Sequence, residues 1–80
     1  MKPTALAALH HGAAYLVDEH GHRLPGTAED QLAWPGVCWA HLRDGATGQW
    51  HVHELHTAAA LDNPHILEML LPFPPQQSNA

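Results

Sequence analysis

Apolar and polar positions alternate most clearly between residues 37 and 55, VCWAHLRDGATGQWHVHEL. Two runs rich in strand formers, 37–42 and 49–55, flank Asp44-Gly45-Ala46-Thr47-Gly48. A short loop with two glycines between such runs predicts a β-hairpin, because glycine supplies the positive φ that tight turns need. Successive side chains on a strand point to opposite faces, so the register decides which residues share a face. Setting Asp44 opposite Gly48 pairs Leu42 with Trp50 and Ala40 with Val52. Cys38, Ala40, Leu42, Trp50 and Val52 then form an apolar face, and Trp39, His41, Arg43, Gln49, His51 and His53 a polar one. A slip of one residue would mix the two sets, so this register is the expectation.

The flanking pattern predicts short elements. Residues 3–12 make a helical stretch rich in alanine, with Thr4 as its cap and Gly12 as its stop. Residues 13–17 alternate as a strand with Tyr15 and Val17 on one face. A turn at 18–21 leads to a weaker returning strand over 22–24, ended by Pro25-Gly26. Thr27 caps a helix over 28–33, whose Glu29 and Asp30 suit the positive end of the helix dipole. Pro35 stops it, leaving Leu32 and Trp34 for the core. Residues 56–61 read as a linker or a helical turn capped by Thr57. Asn63-Pro64 opens a helix over 65–71 that buries Ile66, Leu67 and Leu70, although the same apolar run is short enough to be a strand.

Together these predict an α+β fold. A small antiparallel sheet of three to four strands is built from two hairpins. A C-terminal helix packs on the face carrying Cys38, Trp50 and Val52, beside one or two short helices. Residues 1–71 are expected to form a single compact domain, and 72–80 an extended or disordered Pro-rich tail with Phe73 held against the body.

Composition narrows the functional classes. Eighty residues with three Lys or Arg and a net charge of −5 lack the basic cluster that direct nucleic-acid binding requires. A chain this short buries a modest fraction of its surface, a shortage that a homodimer would relieve. One cysteine excludes an internal disulfide and suits a reducing, cytoplasmic setting. No apolar run reaches the roughly 18–20 residues of a membrane span, and the run at 5–9 is too brief for the core of an export signal. Nine histidines would reverse the sign of the net charge if all were protonated.

The expected register also sets the candidate chemistry. His51-Val52-His53 places two rings on one side of a strand, and His41 would stand across from His51. Three imidazoles are the number a zinc site uses while keeping a position open, and imidazole suits copper and nickel as well. His41, His51 and His53 are therefore the candidate metal ligands; the leading expectation is no cofactor, and the alternative is zinc or another histidine-binding transition metal held by these three. His10-His11 and the turn His20-Gly21-His22 are weaker candidates. Cys38 falls on the apolar face, away from any base. The adjacent acidic pairs Asp18/Glu19 and Glu29/Asp30 are explained by turns and helix starts. No catalytic constellation emerges, and the expectation is that the chain is not an enzyme.

The leading expectation is a protein-interaction module, an adaptor or inhibitor of the sort phages and plasmids carry. It would bind a protein partner, including a second copy of itself, through a face of Trp39, His41, Arg43, His51 and His53. The alternatives are a metal-binding or pH-sensing protein using the same histidines, and an acidic mimic of nucleic acid.

Overall fold

Local capping chemistry starts most elements. In the computed structural model, which describes residues 2–75, the Thr4 hydroxyl accepts from the Ala7 N–H at 3.0 Å and starts α1 (Ala5–His10). The Ala5 N–H is met from far along the chain by Asp62 Oδ1 at 3.1 Å. Gly12, at φ 74°, turns the chain out of the helix and into β1 (Ala14–Val17). The Asp18 carboxylate accepts from the N–H groups of His20 and His22 and so folds the next turn. The returning segment is shorter than expected. It makes one bridge, Val17 to Arg23, and a Leu24 N–H to Leu16 C=O bond of 3.1 Å. Pro25 follows at once and has no N–H to extend the ladder.

In α2 (Ala28–Leu32), Thr27 and Asp30 satisfy each other's backbone N–H groups reciprocally. The hairpin strands are β2 (Cys38–Arg43) and β3 (Trp50–Leu55). A 3₁₀ turn (Ala58–Leu61) leads to α3 (Pro64–Leu70), where Asn63 caps and proline opens the helix. The region around 65–71 is thus a helix. The three strands form one antiparallel sheet in the order β1-β2-β3, and the α+β expectation holds.

The core lies on one side of this sheet. Alternate β2 residues Cys38, Ala40 and Leu42 are fully buried, with Ala14 and Leu16 of β1 beside them and Leu55 at the end of β3. Ala5 and Ala8 of α1, Leu61, and Leu67 and Leu70 of α3 close over them. Each fully buried leucine contributes roughly 1.5–3 kcal/mol. Trp34 and Leu32 pack at the margin, half-buried. Phe73 also packs there, its ring 5.6 Å from that of His11. Residues 76–80 of the expected tail lie outside the described residues.

The hairpin register differs from the expectation by one residue. Asp44 pairs with Gln49, not Gly48: the Asp44 N–H donates to the Gln49 carbonyl at 2.8 Å, and Gly48 donates back to Asp44. Gly48 has φ 77°, so it belongs to the turn. The Asp44 carboxylate organises that turn by accepting from the N–H groups of Ala46 and Thr47. Leu42 therefore faces His51, Ala40 faces His53, His41 faces Val52 and Arg43 faces Trp50. Every β3 side chain changes side. The C-terminal helix does lie on the inner face, its Leu67 and Leu70 joining the core cluster that includes Cys38, but Trp50 and Val52 lie on the opposite face of the sheet, which corrects the expected packing of that helix.

Candidate functional site

The outer face of the sheet, away from the core, carries the densest grouping of aromatic side chains. Tyr15 of β1 is at its centre. The bridge between Val17 and Arg23 brings the guanidinium of Arg23 over the Tyr15 ring, with Cζ 3.9 Å from its centroid. On the other flank, His41 of β2 lies parallel to the ring at 4.4 Å and 9°. Arg23 and β2 approach β1 from opposite sides, so the tyrosine is layered between a guanidinium and an imidazole. Trp50 of β3 leans in at 5.5 Å and 52°. Cation–π and aromatic contacts of this kind hold a surface in one arrangement and are worth about 0.5–1.5 kcal/mol each.

Several members of this face are open to solvent, Arg23 and Glu54 among them. Trp50 is 48% exposed and Val52 56% exposed, while Tyr15, Trp39, His41 and Arg43 are half-buried. A shallow cleft of about 450 Å³ runs from Tyr15, Arg23 and Trp50 towards His10 and Gln31. Arg23 and Arg43 are two of the three Lys or Arg residues in the chain. Glu54, the cross-strand partner of Trp39, lies on the same face, which therefore holds two guanidiniums and one carboxylate on a protein of net charge −5.

The expected site is divided by the register. Trp39, His41 and Arg43 lie on the outer face, whereas His51 and His53 share the inner side with Leu42 and Ala40. The three proposed metal ligands His41, His51 and His53 do not converge, and the five-residue partner face is split in two. Among the described residues, no three His, Cys, Asp or Glu side chains of a single chain come together. His51 and His53 are nonetheless exposed, because the helices close over β1, β2 and only the Leu55 end of β3.

The remaining candidates are accounted for locally. Cys38 is fully buried, and burial pushes its thiol up. His10 Nε2 lies 3.7 Å from Glu29 Oε1 at the surface. His11 is half-buried against Phe73, and its Nδ1 has no hydrogen-bond partner among the described residues. His20 and His22 sit 6.4 Å apart in an exposed turn. Asp18 is held below the usual carboxylate range by the His22 N–H and then that of His20, Asp30 by the Thr27 N–H, and Asp44 by the N–H groups of Ala46 and Thr47. Each of these carboxylates works on its own turn.

The chain matches no protein-family model, no curated protein and no solved structure. Among the described residues no helix is long and apolar enough to cross a membrane. The sequence points to Trp39, His41 and Arg43 on the outer face but not to Tyr15, Arg23, Trp50 or Val52. The signal for Tyr15 was its alternation with Val17; for Trp50 and Val52 it was whether Gly48 counts with the turn.

Proposed function

We propose that the protein is a small non-enzymatic protein-binding module, an adaptor or inhibitor, that docks its partner on the outer face of the sheet. The observation that carries this reading is the layered Arg23–Tyr15–His41 group with Trp50 and Val52 left open beside it. Tyr, Trp and Arg are the residues that dominate binding energy at protein interfaces, and a pre-ordered set loses little entropy on binding. Arg23 and Arg43 select a partner segment that presents an apolar side chain flanked by carboxylates. A lone, buried cysteine suits work in the reducing cytoplasm.

The test uses peptides selected from a random displayed library on the immobilised full chain. Selected sequences are expected to place an aromatic or aliphatic residue next to Asp or Glu. Their binding should shift the amide resonances of Tyr15, His41, Trp50 and Val52. Trp50→Ala, an exposed site whose truncation leaves the core intact, is expected to weaken them by about 30-fold or more, the mark of a hot spot worth 2 kcal/mol. Peptides that map to another surface, or that bind the Trp50→Ala variant as well as the parent, refute the reading.

A further inference from the structure

The hydrogen-bond phase of the hairpin determines what its free edge offers. The Asp44 N–H donates to the Gln49 carbonyl, and the Arg43 N–H donates the other way, to Ala13. Bonding direction alternates along an antiparallel strand. Leu42 and Ala40 therefore bond towards β3, and their partners His51 and His53 bond back to β2. The N–H and C=O groups of Trp50, Val52 and Glu54 are left pointing out of β3, the last strand of the sheet. This edge has neither proline nor lysine, two of the residues that ordinarily keep an edge strand from pairing.

We infer that this edge pairs with the same edge of a second copy, and that the pairing assembles a four-histidine site for a divalent transition metal, Zn²⁺ in the first instance. Only an antiparallel register centred on Val52 uses all three outward residues at once. It sets Val52 against Val52, and Trp50 against Glu54 in both directions, so the two Glu54 carboxylates stay apart. In that register His51 faces His53 of the second copy, and His53 faces His51. These are non-hydrogen-bonded pairs, the closer kind, with Cα atoms about 4.5 Å apart. A two-fold axis normal to the sheet keeps all four imidazoles on one side.

The second copy is the occupant because each chain holds half of a site. His51 and His53 stand two residues apart on one exposed strand face, and among the described residues no third ligand of the same chain joins them. A closed tetrahedral zinc site takes four ligands. Conversely, a short strand edge buries far less than the roughly 1,200 Å² of a stable interface, so the metal supplies what the backbone pairing lacks. Association and metal binding are each incomplete without the other. The metal ligands themselves lie apart from the outer-face reading, since both histidines project from the opposite side of the sheet, although the paired edge also carries Trp50 and Val52.

Sedimentation velocity and zinc titration calorimetry on the full chain test it. The expected result is a monomer in EDTA and a dimer in zinc, with one zinc per two chains. His51→Gln and His53→Gln should each abolish the zinc-dependent dimer, and His65→Gln, at an exposed histidine in the first turn of α3, should not. Val52→Pro removes an outward N–H without touching the ladder to β2, and should leave a monomer in zinc. Absence of zinc binding, zinc bound one per monomer, or zinc-driven assembly that survives His53→Gln each overturns the inference. Peptide binding at the outer face is read separately, so the failure of one reading leaves the other measurable.

Discussion

Gly45→Ala tests how α3 is fastened to the hairpin. The Gly45 N–H donates to the Met69 carbonyl at 3.0 Å, and a Cβ at this position would overlap the Leu71 carbonyl. The φ of Gly45 is not positive, so backbone strain is not at issue; the obstacle is space. The atoms in the way are main chain and cannot rotate aside as a side chain would. The turn and the end of α3 must separate, which loses a hydrogen bond worth about 1 kcal/mol and adds an overpacking cost of roughly 1–3 kcal/mol. A domain of this length has a total stability of about 4–12 kcal/mol, so the change removes a substantial part of it. With a shift of about 4–8 °C per kcal/mol for a domain this size, Tm is expected to fall by at least about 8 °C. Gly36→Ala is the matched control: its nearest neighbour would be Trp34 Nε1 at 3.7 Å, an ordinary contact. That variant should keep the parent Tm or gain slightly from a stiffer unfolded chain. Thermal unfolding followed by tryptophan fluorescence gives both values. A Gly45→Ala variant as stable as Gly36→Ala would refute the close approach of α3 to the turn.

Two further outcomes follow from the same geometry. Cross-strand Hα–Hα NOEs are expected for the non-hydrogen-bonded pairs His41/Val52 and Arg43/Trp50, with fast amide exchange at Trp50, Val52 and Glu54 in EDTA; an NOE joining His41 to His51 would restore the register that sets Asp44 opposite Gly48. Asp18, Asp30 and Asp44 are held below the usual carboxylate range by backbone N–H groups, so their contribution to stability is complete above that range and is lost as pH falls through their lowered values. Tm measured downward from pH 5 should therefore drop mainly below about pH 4, and less steeply in Asp44→Asn; an equally steep drop in that variant would show that the Asp44 charge does not hold the turn.

Much of the fold was legible because the signals are local. The Thr4 cap, the Thr27–Asp30 reciprocal pair and the Asn63-Pro64 helix start each link a side chain to backbone within three residues. Such contacts form or fail regardless of what the rest of the chain does. The alternation of Tyr15 and Val17, and of Cys38, Ala40 and Leu42, was equally readable. The returning strand over 22–24 was overestimated, because Pro25 ends the pairing after one bridge.

The site was not legible, and the reason is one glycine together with the position of one strand. Counting Gly48 as strand or as turn changes the loop by a single residue, and a single residue exchanges the faces of β3. Separation of apolar from polar residues looked like a sound arbiter between the two registers. It holds for a strand covered along its whole length on one side, as β2 is. β3 is an edge strand, and only Leu55 among its inward residues is buried. His51 and His53 therefore meet water on the side where burial was expected, and nothing penalises their being there. Trp50 gains instead from the outer face, where its ring leans against that of Tyr15. The same slip that dissolves a three-histidine cluster within one chain thus creates both the aromatic face and the paired histidines along the open edge. Amphipathicity selects a register only where a second layer covers the strand, so in a three-stranded sheet the edge is where turn chemistry, here the left-handed Gly48 and the Asp44 carboxylate, takes over that choice.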